Sequence, residues 1–561
     1  MTNYRWTKRG NRVRFWIGLA SAGGLGLAAA GLAGRLDLGP VAAGRPSSVA
    51  GRAADAPNRR SQDPAATFRG CVRTEMGSRI IGAAAGVAMN GRLVMAEGFG
   101  LKRKDGGNAV DADTQFRIGS STKMLTAAGM LRLVDKGLVD LDAPISRYLP
   151  DLRFAAVGAE DRVTVRDLLQ HTSGLPDNSV TGEADLYGRP DETAMRRWVL
   201  AQGGTLPHNP SGRFWNYSSA NYMYAGQIIE RVSGLSYQRY MQREVFEPAG
   251  MLDTTMVASE VEARGNFGYG HWNDIFHGGL DIWKPSDQDN WARHPTGYAH
   301  STVKDMLRFA TLLMDDGGVL LSPASARLMT APLVTVDQRA DQYYGFGVFA
   351  ERYQSLALNR HPGSAWGWMA TVDWVPERRF AVVTLTNGFG ALYGSATCAI
   401  EAWLAPASAP PLGGSCPQRR DRWPGIVGHF EGHSYVGTAM AVDVTLADGK
   451  LMLEVTRPDG SRASTAMAQD CGLARDQGPG GFQVDLDGNG AVDTVVTFIA
   501  DPVEPGVVWM RHRQFVLRAG PMAGMPTEAP TAGPSPSTVP AATRTPEVDR
   551  IRIYLPGVRA G

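Results

Sequence analysis

A serine and a lysine three residues apart are the pair in this sequence whose types and spacing most clearly suggest chemistry. Ser120 and Lys123 form an SxxK segment, and apolar residues at helical spacing follow from Met124. The pattern predicts a helix over 121–136, with Ser120 at its N-terminus and Lys123 on the same face. The positive end of a helix favours an anionic serine oxygen, and an amine shielded from water gives up its proton more easily. The pair therefore indicates a serine nucleophile with a lysine base.

The same spacing occurs a second time, which shows that it identifies no nucleophile by itself. Ser301 and Lys304 also stand where a helix is predicted to begin, over 302–314. There we expect Ser301 to cap the helix, with Lys304 and Asp305 exposed in its first turn. Other residues must distinguish the two pairs.

Two further motifs lie downstream of Ser120. Tyr217 precedes a predicted helix over 220–233, and a phenol near a cationic lysine can exchange protons, although a half-buried packing role would also explain this tyrosine. His361-Pro362-Gly363 precedes a predicted strand over 370–374. Because Pro362 cannot donate to a strand ladder, the motif is typical of an edge strand.

Taken in order, these motifs resemble those of the serine β-lactamase and penicillin-binding protein family. Within that family the sequence is similar to the branch of class C β-lactamases, D-alanyl-D-alanine carboxypeptidases, D-aminopeptidases and family VIII esterases. The resemblance runs from about Cys71 to Leu404 and implies an α+β fold, an antiparallel sheet flanked by helices with an all-helical subdomain. The matching segments are 116–123, 168–175, 217–219, 247–251 and 361–364.

The resemblance implies a role for each matching residue. Ser120 would be the acylated nucleophile, Lys123 its proton acceptor and Tyr217 the second acid/base, which passes the proton to the leaving group. His171, in the segment His-Thr-Ser-Gly-Leu, invites comparison with a catalytic triad, but we expect it to stabilise a turn.

The strand motif is expected to line the cleft. His361 and Gly363 match the Lys/His-x-Gly strand of the family, and Ser364 would supply a backbone N–H that joins the Ser120 N–H in an oxyanion hole.

Two departures from the family pattern bear on the substrate. Ser219 replaces the asparagine that contacts the acylamino group of β-lactams, and His361-Pro362-Gly363 replaces Lys-Thr-Gly. Both changes favour an esterase, or a peptidase of D-amino-acid or small peptide substrates, over an efficient β-lactamase. A true β-lactamase and a penicillin-recognising or cell-wall-associated binding protein without turnover remain as alternatives.

An insertion over 268–297 could shape that cleft. Some of its aromatic residues could line the cleft or belong to a packed loop: Trp272, Phe276, Trp283 and Trp291.

The N-terminus is basic and then apolar. Five cations precede an uncharged run over 15–34, so residues 1–43 are predicted to be an export signal or, if uncleaved, an inner-membrane anchor. Cleavage after Ala30 or Ala43 would change the net charge from +2 to −3. We therefore expect a periplasmic or secreted protein whose partner is a small-molecule or peptide substrate and not a nucleic acid.

Four cysteines are consistent with an oxidising compartment. Cys398 and Cys416 are close enough in sequence to bridge the end of a domain, but three pairings with Cys71 and Cys471 are open. Cys71 lacks the apolar residues of a lipoprotein signal before it, so we do not expect it to be lipidated.

The remaining pattern divides the chain into parts. Residues 44–67 are predicted to be a linker, 68–408 the hydrolase domain, 420–519 an antiparallel β-barrel domain and 520–561 a Pro-, Thr- and Ala-rich tail.

A loop in the predicted barrel has alternating oxygen ligands. It suggests a structural calcium site, although a polar turn explains it equally well, and the chemistry at Ser120 requires no cofactor. The candidate ligands are Asp485, Asp487, Asn489 and Asp493.

Overall fold

The computed structural model describes the hydrolase region and most of the barrel strands. The candidate calcium loop, Cys416, Cys471, the N-terminal segment and the tail lie outside the described residues. These are 63–177, 190–274, 279–336, 342–388, 390–406, 423, 425–434, 439–456, 462–469, 481–484, 494–512 and 515–519.

Helices make up much of the described chain that precedes the barrel. Their bounds are α1 Pro64–Met76, α2 Thr122–Asp135, α3 Val165–Gln170, α4 Ala194–Leu200, α5 Ser219–Ser233, α6 Tyr237–Met241, α7 Ala258–Arg264, α8 His294–Gly297, α9 Val303–Met314, α10 Pro323–Thr330 and α11 Tyr393–Leu404.

Strands of the hydrolase region lie on both sides of this helical block in the sequence. Their bounds are β1 Gly82–Met89, β2 Arg92–Gly100, β3 Phe116–Arg117, β4 Gly270–Asp274, β5 Gly279–Trp283, β6 His300–Ser301, β7 Val334–Thr335, β8 Gln342–Tyr344, β9 Phe349–Tyr353, β10 Leu356–Arg360, β11 Gly363–Ala365, β12 Trp368–Val375 and β13 Phe380–Thr386.

One antiparallel sheet organises the hydrolase region. Its order is β2-β1-β13-β12-β10-β9-β8-β7, and β11 pairs with the edge of β12. The sheet joins strands from both ends of the region because β1 pairs with β13 along its whole length. Helices cover both faces, so β13 is buried at every position. The predicted α+β fold, an antiparallel sheet flanked by helices, is confirmed.

The first and last helices pack together on one face of this sheet. Cys71 on α1 forms a disulfide with Cys398 on α11, across 327 residues of sequence. The suggested bridge between Cys398 and Cys416 is therefore wrong, since sequence proximity did not reveal that the two helices meet.

The helix α1 begins at Pro64, four residues before the predicted start of the hydrolase domain at 68. The Asp63 side chain accepts a hydrogen bond from the Ala65 N–H at 3.0 Å, and proline suits the first helical position. The last residues of the predicted linker thus belong to the helix or cap it.

The second SxxK segment also differs from the prediction in detail. Thr302 caps α9 by accepting a hydrogen bond from the Asp305 N–H at 3.2 Å, while Ser301 lies in β6. Asp305 is buried, where an exposed residue was predicted, and its carboxylate accepts a hydrogen bond from the Thr254 hydroxyl at 2.9 Å.

The C-terminal strands close into a barrel in which each strand pairs with the next and β14 pairs with β21. Phe430, Phe482 and Phe498 are buried in its interior among aliphatic side chains. The strands are β14 Gly428–Ser434, β15 Ala439–Ala447, β16 Lys450–Thr456, β17 Arg462–Gln469, β18 Gly481–Val484, β19 Thr494–Ala500, β20 Val508–His512 and β21 Phe515–Ala519.

Candidate active site

Ser120 lies in a single 3₁₀ turn, Gly119–Ser121, that runs directly into α2. Lys123, in the first turn of α2, is completely buried, whereas Ser120 is partly exposed. The Lys123 Nζ donates hydrogen bonds to the Ser120 Oγ at 3.2 Å and to the Thr296 carbonyl at 2.8 Å. A buried amine thus lies within proton-transfer distance of an accessible hydroxyl, as serine activation requires.

The Thr296 carbonyl that holds Lys123 belongs to the short helix α8. This helix is fixed against α2 because the Thr126 hydroxyl donates to the Pro295 carbonyl at 2.7 Å. The Nε2 of His294, the first residue of α8, also lies 2.9 Å from the Asp289 Oδ1. Thr296 was not predicted from the sequence, because a backbone carbonyl carries no signal in its residue type.

Tyr217 is buried beside the lysine. The Lys123 Nζ lies 4.9 Å from the centre of the Tyr217 ring, over its face. The contact brings the two candidate acid/base groups together.

His171 holds the backbone on both sides of Tyr217. The Asn216 N–H donates to the His171 carbonyl at 2.8 Å, and the Ser218 N–H donates to the His171 Nδ1 at 3.2 Å. The rings of His171 and Tyr217 pack at 4.4 Å. His171 ends α3 in a left-handed conformation with φ of 59°, so it has the turn-forming role that we expected.

The edge strand β11 docks against the turn that carries Ser120. The Ser121 hydroxyl donates to the His361 carbonyl at 2.8 Å. Gly119 has φ of +52°, and a Cβ there would lie 2.4 Å from the Ser364 nitrogen. Glycine is required at 119, because the backbone of Ser364 is in direct contact with the turn that carries Ser120. An oxyanion hole built from the two segments would need this contact.

Gly363 permits an equally close approach. A Cβ at this position would lie 1.8 Å from the Ile118 carbonyl oxygen. Glycine is thus needed at 363 for β11 to approach the turn that carries Ser120.

His361 is neutral in this site. Its burial, followed by the positive charge of Lys123, lowers the pKa of His361 to about 3. The Pro362 carbonyl lies 2.8 Å from Nδ1, and the Tyr344 hydroxyl lies 3.1 Å from Nε2. A proton on Nδ1 lets this nitrogen donate to the Pro362 carbonyl and leaves Nε2 to accept from the Tyr344 hydroxyl. Burial raises the pKa of Tyr344, so its hydroxyl keeps the proton that it donates. Tyr344 was not predicted from the sequence, because it stands in no motif.

Ser219 is buried at the start of α5. Its backbone N–H donates to the Asp177 Oδ1 at 2.9 Å. The nearby Asn221 accepts a hydrogen bond from the Ser173 hydroxyl at 2.7 Å, so its amide holds the fold together. The Asp177 carboxylate therefore fixes the backbone of Ser219, and the substrate contact of Ser219 stays a prediction.

The aromatic residues of the insertion divide between two environments. The Trp272 ring on β4 packs edge-on against Trp366 at 5.3 Å, in the turn that follows β11. Trp291 belongs to the main hydrophobic core. Phe276 lies outside the described residues. A packed loop explains Trp291, while Trp272 flanks the strand that carries Ser364.

Comparison with known proteins agrees with this geometry. The family model described as Beta-lactamase matches residues 68–405. The chain belongs to the β-lactamase family. It is accordingly a serine hydrolase, and hydrolases of this fold generally need no cofactor.

Two curated relatives match the hydrolase region over most of their own length. Esterase EstB from Burkholderia gladioli is 29% identical over 358 residues, which are 58% of this chain and 90% of that protein. Protein Rv1367c from Mycobacterium tuberculosis is 30% identical over 310 residues, 48% of this chain and 72% of that protein.

Solved structures share the fold. The octameric penicillin-binding protein homologue from Pyrococcus abyssi has a TM-score of 0.54 at 21% identity, over 81% of this chain and 99% of its own. The D-amino acid amidase from Ochrobactrum anthropi, complexed with L-phenylalanine amide, has a TM-score of 0.52 at 24% identity, over 61% and 99%.

Two further features concern metals and membranes. In the described ranges, no three acidic, histidine or cysteine side chains are grouped so that they could hold a metal ion. Within the same part of the chain, no helix combines the length and the apolar character needed to cross a bilayer.

Proposed function

We propose that the protein is an exported hydrolase that forms an acyl-enzyme at Ser120 and cleaves ester or amide bonds of small acyl, D-amino-acid or peptide substrates. The observation that carries this proposal is the hydrogen bond of 3.2 Å between the buried Lys123 Nζ and the accessible Ser120 Oγ. Its surroundings suit covalent catalysis, because the lysine has a fixed second acceptor and a tyrosine ring on its other side.

The proposed reaction has two steps. Lys123 accepts the proton of Ser120 as the serine oxygen attacks the carbonyl carbon, and the backbone N–H groups of Ser120 and Ser364 stabilise the oxyanion. Tyr217 then gives its phenol proton to the leaving group as the scissile bond breaks, and Lys123 passes the proton that it took from Ser120 to the Tyr217 oxygen. Water hydrolyses the ester at Ser120 and regenerates the free hydroxyl.

The choice of ester and amide substrates rests on the sequence and on the relatives. Ser219 and His361 replace residues that β-lactam-hydrolysing members use, and the relatives include an esterase and a D-amino acid amidase. His361 is also neutral, so it supplies no cation for a substrate carboxylate of the kind that a lysine at this position would offer.

The basic and apolar N-terminus supports export, with the segment over 15–34 either removed or retained as a membrane anchor. Fusion of residues 1–45 to alkaline phosphatase, which is active only outside the cytoplasm, tests this part. An active fusion supports export, and an inactive one contradicts it.

A substrate panel tests the hydrolase. We expect purified full-length protein to hydrolyse a p-nitrophenyl ester or a D-amino-acid p-nitroanilide, and to turn over nitrocefin slowly. Ser120→Ala should abolish the activity, whereas the matched variant Ser301→Ala should retain it. A wild-type protein that is inert on the whole panel but binds fluorescent penicillin would instead indicate a binding protein.

A further inference from the structure

Arg213, four residues before Tyr217, contacts the C-terminal barrel. Its Nη1 donates to the Asp501 Oδ1 at 2.8 Å, and its Nη2 lies 3.2 Å from Glu504. The Asp501 side chain is fully buried and also accepts a hydrogen bond from the Trp509 indole at 2.7 Å. The ion pair is therefore fixed on the barrel side by a second hydrogen bond.

The next residue, Phe214, is also packed on the barrel. Its ring lies 5.5 Å from the ring of Trp509, and both are almost completely buried. The apolar cluster is completed by Ile499 and Val516, which also belong to the barrel.

Arg511 on β20 continues this contact to Trp215. It is only 7% exposed, and its Nη1 donates to the Trp215 carbonyl at 2.6 Å and to the Val336 carbonyl at 2.7 Å. Its guanidinium lies 5.3 Å from the centre of the Trp215 ring. Arginine suits this position because its planar group can donate several hydrogen bonds and stack on an aromatic ring at the same time.

Trp215 in turn packs against the residues that frame the active site. Its ring lies 6.1 Å from that of Tyr217, 6.2 Å from that of His171 and 6.0 Å from that of Tyr344. His171 holds the backbone around Tyr217, and Tyr344 contacts His361. Trp215 thus connects Arg511 of the barrel with Tyr217 and with the residues that contact His361.

We propose that Arg511 of the barrel is a positioning residue for Tyr217, so that the barrel forms part of the catalytic framework of the hydrolase. Arg511 fixes the Trp215 carbonyl and ring, and this contact sets the place of the phenol two residues later. The inference rests on the proposed function, because it concerns the proton that Tyr217 gives to the leaving group.

A misplaced Tyr217 would affect substrates unequally. The alkoxide of a methyl ester is a poor leaving group and needs a proton as the bond breaks, whereas p-nitrophenolate leaves without one. Loss of Arg511 should therefore lower kcat/KM far more for a methyl ester than for the p-nitrophenyl ester of the same acyl group. A smaller fraction of folded enzyme would lower both values equally and leave their ratio unchanged.

The experiment compares the two esters in full-length variants. Arg511→Met should lower the ratio of kcat/KM for the methyl ester over the p-nitrophenyl ester by about tenfold to a hundredfold. Arg511→Lys, which keeps the charge and is less disruptive, should lower it by a smaller factor. The control Lys450→Met, which removes an exposed cation from β16 of the barrel, should leave the ratio unchanged.

A second comparison tests whether the effect of Arg511→Met on the ratio depends on the Tyr217 hydroxyl. In a Tyr217→Phe background, Arg511→Met should cause no further change in the ratio. An unchanged ratio in both Arg511 variants, or a selective loss that persists without the phenol, would overturn the inference. A wild type inactive on both esters, or activity that survives Ser120→Ala, would instead contradict the proposed function.

Discussion

At the scale of single residues, the SxxK segments at Ser120 and Ser301 have the same spacing but different surroundings. Lys123 is buried and donates to Ser120, whereas Lys304 forms an exposed ion pair with Asp113 at 2.6 Å. The Ser301 hydroxyl lies 2.8 Å from that of Thr254. The difference therefore comes from burial and partners and not from the distance along the sequence.

The comparison gives a prediction for the two lysines. Lys123→Met should lower kcat/KM by about 10²- to 10⁴-fold, the usual contribution of a positioned acid or base. Lys304→Met should retain the activity, because an exposed ion pair contributes little to stability. Ester hydrolysis by both variants provides the measurement, and equal activities would contradict the assignment of Lys123.

Two glycines with positive φ allow a matched test of the oxyanion site. At Gly119 a Cβ would meet the Ser364 nitrogen, whereas at Gly137, with φ of +69°, it would meet nothing within 4 Å. Gly119→Ala should lower kcat by about 10²- to 10³-fold, as for loss of an oxyanion donor. Gly137→Ala should keep kcat and lower the free energy of unfolding by about 1 kcal/mol. A fully active Gly119→Ala enzyme would show that the contact with β11 is not needed.

At the scale of helices and strands, hydrophobic spacing predicted where helices lie along the sequence. It did not predict which helices contact each other. The expected helices over 121–136 and 302–314 correspond to α2 and α9. The cap of α9 was assigned to Ser301 because serine and threonine are both good caps and stand side by side there. The pairing of Cys71 with Cys398 could not be predicted, since it depends on how α1 and α11 meet across the sheet.

A buried carboxyl group between α5 and α6 should make stability depend on pH. The two Glu230 oxygens accept hydrogen bonds from the Tyr237 N–H and the Gln227 amide, and burial raises the pKa of Glu230 to about 7. A pKa raised by folding means that stability is full below the ordinary value near 4.5 and falls as the pH rises through 7.

The corresponding variant is Glu230→Gln. Relative to it, the wild type should lose up to about 3 kcal/mol of unfolding free energy between pH 4.5 and pH 8. Denaturant unfolding at several pH values provides the measurement. Parallel pH profiles for the two proteins would contradict the raised pKa.

The disulfide between α1 and α11 should contribute to the stability of the same region. Replacement of Cys71 and Cys398 together by serine should lower the free energy of unfolding by about 2–4 kcal/mol, since the bridge restricts a long loop of the unfolded chain. Denaturant unfolding of the hydrolase region, followed by the loss of ester hydrolysis, measures this effect. A variant as stable as the oxidised wild type would contradict it.

At the scale of the whole molecule, the sequence indicated two folded parts but not their contact. Alternation along the barrel strands predicts which side chains face the interior. It does not predict that Arg511 reaches Trp215, because the two residues are 296 positions apart and no motif connects them. The site itself was more predictable, since Ser120, Tyr217 and His361 each stand in a motif whose local structure fixes their place.

The central claim is that Ser120 becomes acylated during turnover. Full-length protein mixed with a p-nitrophenyl ester, quenched in acid within the burst of nitrophenol release and digested with trypsin, tests it by mass spectrometry. The account predicts that the peptide 118–123 gains the mass of one acyl group, with the fragments placing it on Ser120. Acylation of another residue, or turnover by the Ser120→Ala enzyme at the wild-type rate, would contradict it.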